Sequence, residues 1–295
     1  MPLKFVQIYL QILHLTIWGK AMNINFNISE ANSIHIKQLT NLWTNSFGDS
    51  EEYINFFMIN KFPNCKTIIA EADNSIIGSL YLMPLTTYEY GIPKDGFYLY
   101  ALSVEIKYRG FGVGKKLVKV ACDLAKSENK FIILCPASKS LQAYYKSLGF
   151  VDNCYLNEIA VDNRADCSPL SCCALDTETF SHLRNKFFKN QIFWNYEGLK
   201  YILEENIFTG GFNLKFNIDS GIYYVIGKTH DCSVVITESN APYEVKKIIS
   251  GYLSKNFNTH DIKWLVPYES CTNCILTGMT YNLAKDNYYF NHILN

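Results

Sequence analysis

Neither sign of charge predominates in this sequence: 27 Lys and Arg stand against 27 Asp and Glu in 295 residues. That balance removes any global electrostatic case for nucleic acid or a membrane surface as partner. Metal-ligand spacing is scarce too. Of ten cysteines, Cys271 and Cys274 form one CxxC, "CTNC", and no second CxxC or HxxxH supplies the rest of a four-ligand zinc site. No metal is expected. Cys65, Cys122, Cys135, Cys154 and Cys232 stand alone in apolar segments and read as buried thiols, while Cys167, Cys172 and Cys173 cluster in a segment without periodicity. This usage suits a reducing cytoplasm better than secretion. A long uninterrupted apolar run is also missing. Residues 1–21 are apolar but broken by Gln7, Gln11, His14 and Thr16, too interrupted for a span of about 20 apolar residues. With no small-x-small cleavage site they also make a poor signal peptide. Either Met22 is the true start, or residues 1–21 are a weakly packed N-terminal extension.

What is abundant is core-forming material: 48% hydrophobic and 15% aromatic residues, enough for two domains of ordinary size. The first half alternates strands and helices. Ile24–Ile28 reads as a strand, and Ile34–Phe47 as a helix from the spacing of Leu39, Leu42 and Trp43. A second helix opens at Asp49 or Ser50, with Glu51 and Glu52 in its first turn. "KTIIAEAD" and "SIIGSLYLMPLTTYEY" form a hairpin, and "GFYLYALSVEI" is a further strand. A helix, the short apolar strand "KFIILCP", a helix from Ser138 to Gly149 and the strand "VDNCYLNEIAV" follow. Residues 161–175 lack periodicity and read as a linker. Beyond it come helices over Thr177–Lys189 and Trp194–Glu205, three strands, a helix from "APYEVKK" with Pro242 in its first turn, and further strands. The domain reading is therefore 1–21 extension, 22–160 first domain, 161–175 linker and 176–295 second domain. The repeated order of elements suggests a degenerate internal duplication in a mixed α/β (α+β) protein.

The most informative stretch is "YRGFGVGKK", in which Gly110, Gly112 and Gly114 alternate between a strand and a helix. Such glycines clear Cβ atoms from the approach of an anion, and the helix start adds its positive end. The dinucleotide fingerprint needs G-x-G-x-x-G and an acidic residue at the end of the next strand; the spacing is wrong and "FIILCP" ends without the acid. A P-loop needs Ser or Thr after the lysine, and Lys115 is followed by Lys116.

What remains, Arg109-x-x-Gly112-x-Gly114, resembles the pyrophosphate loop of the GCN5-related N-acetyltransferases, Q/R-x-x-G-x-G/A. One strand later, Tyr145-x-x-x-Gly149-Phe150 matches the second motif of that family, while Ser138 and Leu141 depart from its Asn and Ala positions. The resemblance covers about Ile24–Ala160. It implies a mixed, splayed sheet flanked by helices, with acetyl-CoA in the gap between two central strands. By position, the main chain of Leu102, Ser103 and Val104 would hold the pantetheine arm. Backbone N–H groups of Arg109, Gly110, Phe111, Gly112, Val113, Gly114 and Lys115 would hold the pyrophosphate. Tyr145 would protonate the departing thiolate, with Tyr144 as the alternative if the helix is rotated.

The implied function is transfer of an acetyl group from acetyl-CoA to a primary amine of a small molecule or peptide, by direct attack in a ternary complex. A non-catalytic acyl-CoA sensor is the alternative class, and an acyl-Cys135 intermediate the alternative route. Glu71, Glu105, Glu158 and Glu238 lie on or beside strands, and none is singled out as general base. The second half lacks the glycine loop: its helix entrance reads "ESNAPYEVKK". This tandem plan resembles the enhanced intracellular survival group of acetyltransferases, whose second copy binds no cofactor. The second half is expected to wall the acceptor pocket or to form a homodimer surface.

Overall fold

A computed structural model describes residues 24–161, 170–187, 190–269 and 272–291. The readings of residues 1–21, Met22, Cys167 and Cys271 fall outside them.

The first half runs β1 (Asn27–Glu30), α1 (Ile36–Phe47), α2 (Glu51–Asn60), β2 (Lys66–Ala72), β3 (Ser75–Glu89), β4 (Ile92–Val104), α3 (Val113–Ser127), β5 (Phe131–Leu134), α4 (Lys139–Ser147) and β6 (Val151–Ala160). Local chemistry sets the helix ends. Ser50 caps α2, its side chain accepting from Tyr53 N, while Asp49 instead accepts from Trp43 Nε1 at 2.7 Å. Ser138 caps α4 through Leu141 N, and Gly149 follows that helix at φ +94°.

The second half runs β7 (Ser171–Ala174), α5 (Thr177–Phe187), β8 (Phe193–Trp194), α6 (Tyr196–Phe208), β9 (Phe212–Ile218), β10 (Gly221–His230), β11 (Ser233–Ser239), α7 (Tyr243–Phe257), β12 (Asp261–Pro267) and β13 (Cys274–Tyr281). Two sequence expectations change here. Ser171–Ala174, inside the expected linker, pairs with β9. Trp194, expected to start a helix, sits in β8 on the flank of β3; Asn195 caps α6 instead, accepting from Gly198 N.

All strands belong to one sheet, ordered β1-β2-β3-β4-β5-β13-β6-β12-β11-β10-β9-β7, with β8 attached to β3. Within each half the pairings match. β4 and β5 are parallel, as are β11 and β12, and the neighbours outside them are antiparallel. The centre is exchanged. β6 pairs with β12 and β13, and β5 pairs with β13, so each half contributes its last strand to the other. α4 has no counterpart between β12 and β13 among the described residues.

One face of the sheet buries a continuous apolar cluster drawn from α1, α2, α5 and α6, including Trp43, Phe57, Tyr201 and Phe290. α3 and α4 cover the other face of the first half, and α7 covers that of the second. Phe56 of α2 stacks on Phe208 and Tyr201 of α6 at 4.6 and 5.4 Å, so the two halves share a core. Among the described residues no helix is long and apolar enough to cross a membrane.

Candidate active site

The site forms where β4 and β5 part. Their parallel ladder ends at Tyr98↔Ile133, and β5 stops at Leu134 while β4 continues to Val104. On its other edge β4 stays paired with β3 through Ser79↔Ser103 and Gly78↔Val104. Leu102, Ser103 and Val104 therefore lie past the last β4–β5 pair, on the open side of the strand. Ser103 is buried and its Oγ lies 2.9 Å from Ser79 Oγ, which ties this edge to β3. A register shift between Ser79 and Tyr81 marks a bulge, and Ala101 within it adopts φ +46°. A non-glycine residue in the left-handed region is strained, and it turns the strand's main chain at the mouth of the gap.

At the outer end of the gap stands the glycine loop. Gly110 and Gly112 have φ +85° and +81°, and a Cβ added to either would meet nothing within 4 Å. The glycines thus serve conformation and leave open space above the loop. The first N–H groups of α3 have no intrahelical partners, and Gly112 at the N-cap supplies no side-chain cap. Val113 is buried and anchors the helix, whereas Phe111 and Lys115 are exposed. Arg109 differs from its neighbours: its N–H donates to Ile106 O at 3.2 Å and its Nε to Val104 O at 3.0 Å. It braces the loop against β4. Replacing Gly112 by Ala is expected to cost about 1–2 kcal/mol of left-handed strain. Acetyl-CoA-induced thermal stabilisation of that variant should fall accordingly.

α4 lies beside the gap and presents two tyrosines. Tyr145 is 6% exposed, with its ring 5.7 Å from Phe150 and 5.2 Å from Tyr144. Burial, then neighbouring Tyr144, raises its pKa above the usual phenol range, so it stays a neutral proton donor. Tyr144 is half-buried, and its Oη lies 3.6 Å from the position of a Cβ built on Gly114, at the start of α3. Burial pushes the Cys135 thiol up to about 11, so it is protonated at neutral pH and poorly suited to an acyl-cysteine route.

The four carboxylates considered from sequence are engaged elsewhere. Glu71 accepts from Ser29 Oγ at 2.9 Å; Glu105 pairs with Lys107 at 3.2 Å and Glu158 with Lys263 at 3.5 Å. Glu238 is fully buried, paired with Arg184 Nε at 2.9 Å, and accepts from Tyr224 Oη at 2.9 Å. Burial in a low-dielectric core requires this pairing. Among the described residues no group of three or more His, Cys, Asp or Glu side chains could hold a metal ion.

The matching place in the second half is filled by the chain itself. β11 keeps the bulge: its register with β10 shifts between Ile226↔Glu238 and Gly227↔Ile236. At that bulge Asn291 Nδ2 donates to Thr237 O. The entrance to α7 carries Pro242 at the N-cap, and Lys246 Nζ donates to Ala241 O at 2.6 Å. Side chains thus occupy the ground that glycines leave open in the first half.

Comparison with known proteins agrees with this geometry. Residues 36–150 match the model of the acetyltransferase (GNAT) family. Among solved structures, the fold is similar to that of a conserved protein of unknown function from Enterococcus faecalis V583, described as a probable N-acyltransferase. The identity there is 12% and the TM-score 0.70, over 87% of this chain and 72% of that one. A GCN5-related N-acetyltransferase from Kribbella flavida matches at 11% identity and TM-score 0.65, over 89% of this chain and 72% of that one. Eis1 from Mycobacterium abscessus matches at 8% identity and TM-score 0.62, over 87% and 73%. This chain carries an acetyltransferase domain of the GNAT family at residues 36–150, and with it belongs among the acyltransferases.

Proposed function

We propose that the protein transfers an acetyl group from acetyl-CoA to a primary amine by direct attack in a ternary complex. The observation that carries this reading is the gap between β4 and β5. The open edge at Leu102–Val104 suits an extended pantetheine arm, and the uncapped first turn of α3 suits a pyrophosphate. Tyr145, kept neutral by burial, suits the role of acid for the departing thiolate. The high pKa of Cys135 favours direct transfer over a covalent intermediate. The second half covers the first on the α2 face, which supports a role for α6 in walling the acceptor side. Free thiols at all eight described cysteines fit a reducing compartment such as the cytoplasm.

The test is thiol release from acetyl-CoA over a panel of primary amines: a polyamine, an aminoglycoside, a free amino acid and a peptide N-terminus. Amine-dependent release is expected. Stabilisation by acetyl-CoA with no release on any amine would instead favour the sensor reading.

A further inference from the structure

A carboxylate from the second half is linked by side-chain hydrogen bonds to β4, the strand that borders the first half's gap. Glu205, on the inner side of α6, has no exposed surface. Acidic side chains are almost never fully buried unless something holds them there. Here a first-half residue approaches it: Tyr53 Oη of α2 donates to Glu205 Oε1 at 3.4 Å. Tyr53 Oη in turn lies 3.0 Å from Tyr100 Oη of β4. Tyr100 immediately precedes the strained Ala101 of the bulge, and unlike Tyr53 it is only half-buried.

The chemistry of the acceptor atoms gives this chain a direction. An ionised carboxylate accepts only, so with Glu205 ionised Tyr53 directs its single proton to it. The Tyr53 oxygen is then the acceptor in its bond with Tyr100, and Tyr100 is the donor. Tyr100, whose main chain adjoins the bulge, is thereby the accepting end of the chain. Two further groups act on the carboxylate: Lys228 of β10 favours its charge, and Tyr201 lies one turn earlier on α6. Catalytic hydrogen bonds are commonly long before substrate binds, which suits the 3.4 Å step.

We infer that Tyr100, Tyr53 and Glu205 form a proton path that takes a proton from the ammonium group of the acceptor, with Glu205 as its final base. This rests on the acyl-transfer reading above. An alkylammonium hands one proton to Tyr100 while Tyr100 passes its own to Tyr53 and Tyr53 its own to Glu205. The neutral nitrogen then forms a bond to the acetyl carbonyl carbon and the C–S bond breaks. Tyr145 protonates the thiolate and is reprotonated from the new amide nitrogen. Once the product has left, Glu205 returns the first proton through Tyr53 and Tyr100 to solvent entering the gap, so the net products are amide, free thiol and one proton.

The experiment compares two nucleophiles at pH 7. n-Butylamine, with an ammonium pKa like that of Lys at about 10.4, must lose a proton before attack. Hydroxylamine is already neutral. The Glu205→Gln enzyme is expected to lose about 100-fold or more in kcat/KM with n-butylamine, the usual scale for losing a general base. Its rate with hydroxylamine should change far less. Tyr53→Phe should shift the ratio of the two rates in the same direction, and Glu205→Asp should restore part of it. Acetyl-CoA affinity and thermal unfolding, measured alongside, identify a variant that has simply lost its fold. Should Glu205→Gln fail to fold, the Tyr53→Phe ratio decides in its place. An unchanged ratio of the two rates in the folded variants overturns the proton path and leaves acyl transfer standing. Failure of the unaltered enzyme to acetylate either nucleophile overturns both.

Discussion

Tyr145→Phe is expected to lower kcat by about 100- to 10,000-fold, the range associated with removing a positioned acid, while acetyl-CoA binds as before. The substitution deletes one oxygen from a ring that is otherwise held by Phe150 and Tyr144, so the packing of α4 is kept. Because burial holds the hydroxyl above the usual phenol range, Tyr145 remains a donor through neutral and mildly alkaline pH. An alkaline loss of rate well below the phenol range would therefore report another group. Tyr144→Phe is the control. Its hydroxyl sits by Gly114 at the start of α3, so its loss should act mainly on cofactor affinity. Steady-state kinetics on both variants distinguish the roles; a kcat collapse in Tyr144→Phe with a normal Tyr145→Phe enzyme would reverse the assignment.

Truncation after Ala160 has the second large expected effect: the first half alone should not fold into a stable monomer. In the whole chain β6 is bonded on one side to β12, from Leu156↔Pro267 to Ala160↔Lys263, and on the other to β13. Truncation removes both partners and also the β13 neighbour of β5. It uncovers Leu156, Cys154 and Ile133, each with no exposed surface, and strips α6 from the stacked Phe56. At about 1.5–3 kcal/mol for each large apolar side chain returned to water, a few such exposures match the whole stability of a typical domain, about 5–15 kcal/mol. The truncated chain should aggregate or lack a cooperative unfolding transition. Co-expressed as two chains split at residues 162–169, the halves should copurify. A soluble first half that melts cooperatively and is stabilised by acetyl-CoA would refute the dependence.

These two expectations draw on different levels of information. The glycine loop, the strand before it, the α3 periodicity and the Tyr145-x-x-x-Gly149-Phe150 run were legible because each is local. Gly110 and Gly112 are required by the backbone of their own turn, and the caps Ser50 and Ser138 bond within their own helices. The repeated order of elements was also legible, since the periodicities of strand and helix recur along the chain. Trp194 was misread because its apolar neighbours fit a helix start, and only the edge of β3 makes β8 worth forming.

The sequence by itself determined where a left-handed glycine turn forms before α3, which tyrosine follows it, and that the second half lacks the Arg-x-x-Gly-x-Gly run. The tertiary structure decided which strands are neighbours and which carboxylate is linked through Tyr53 to β4. Alternation in "VDNCYLNEIAV" specifies a strand but not its partners, and β6 finds them more than 100 residues away in β12 and β13. Glu205, in "YILEENIF", reads as one acid among several on a helix. It is buried because α6 packs across α2, which brings Tyr53 to it over a separation of 152 residues. Backbone conformation and helix capping are settled over a few residues, whereas strand exchange and the burial of a charge depend on contacts that exist only once the chain has closed on itself.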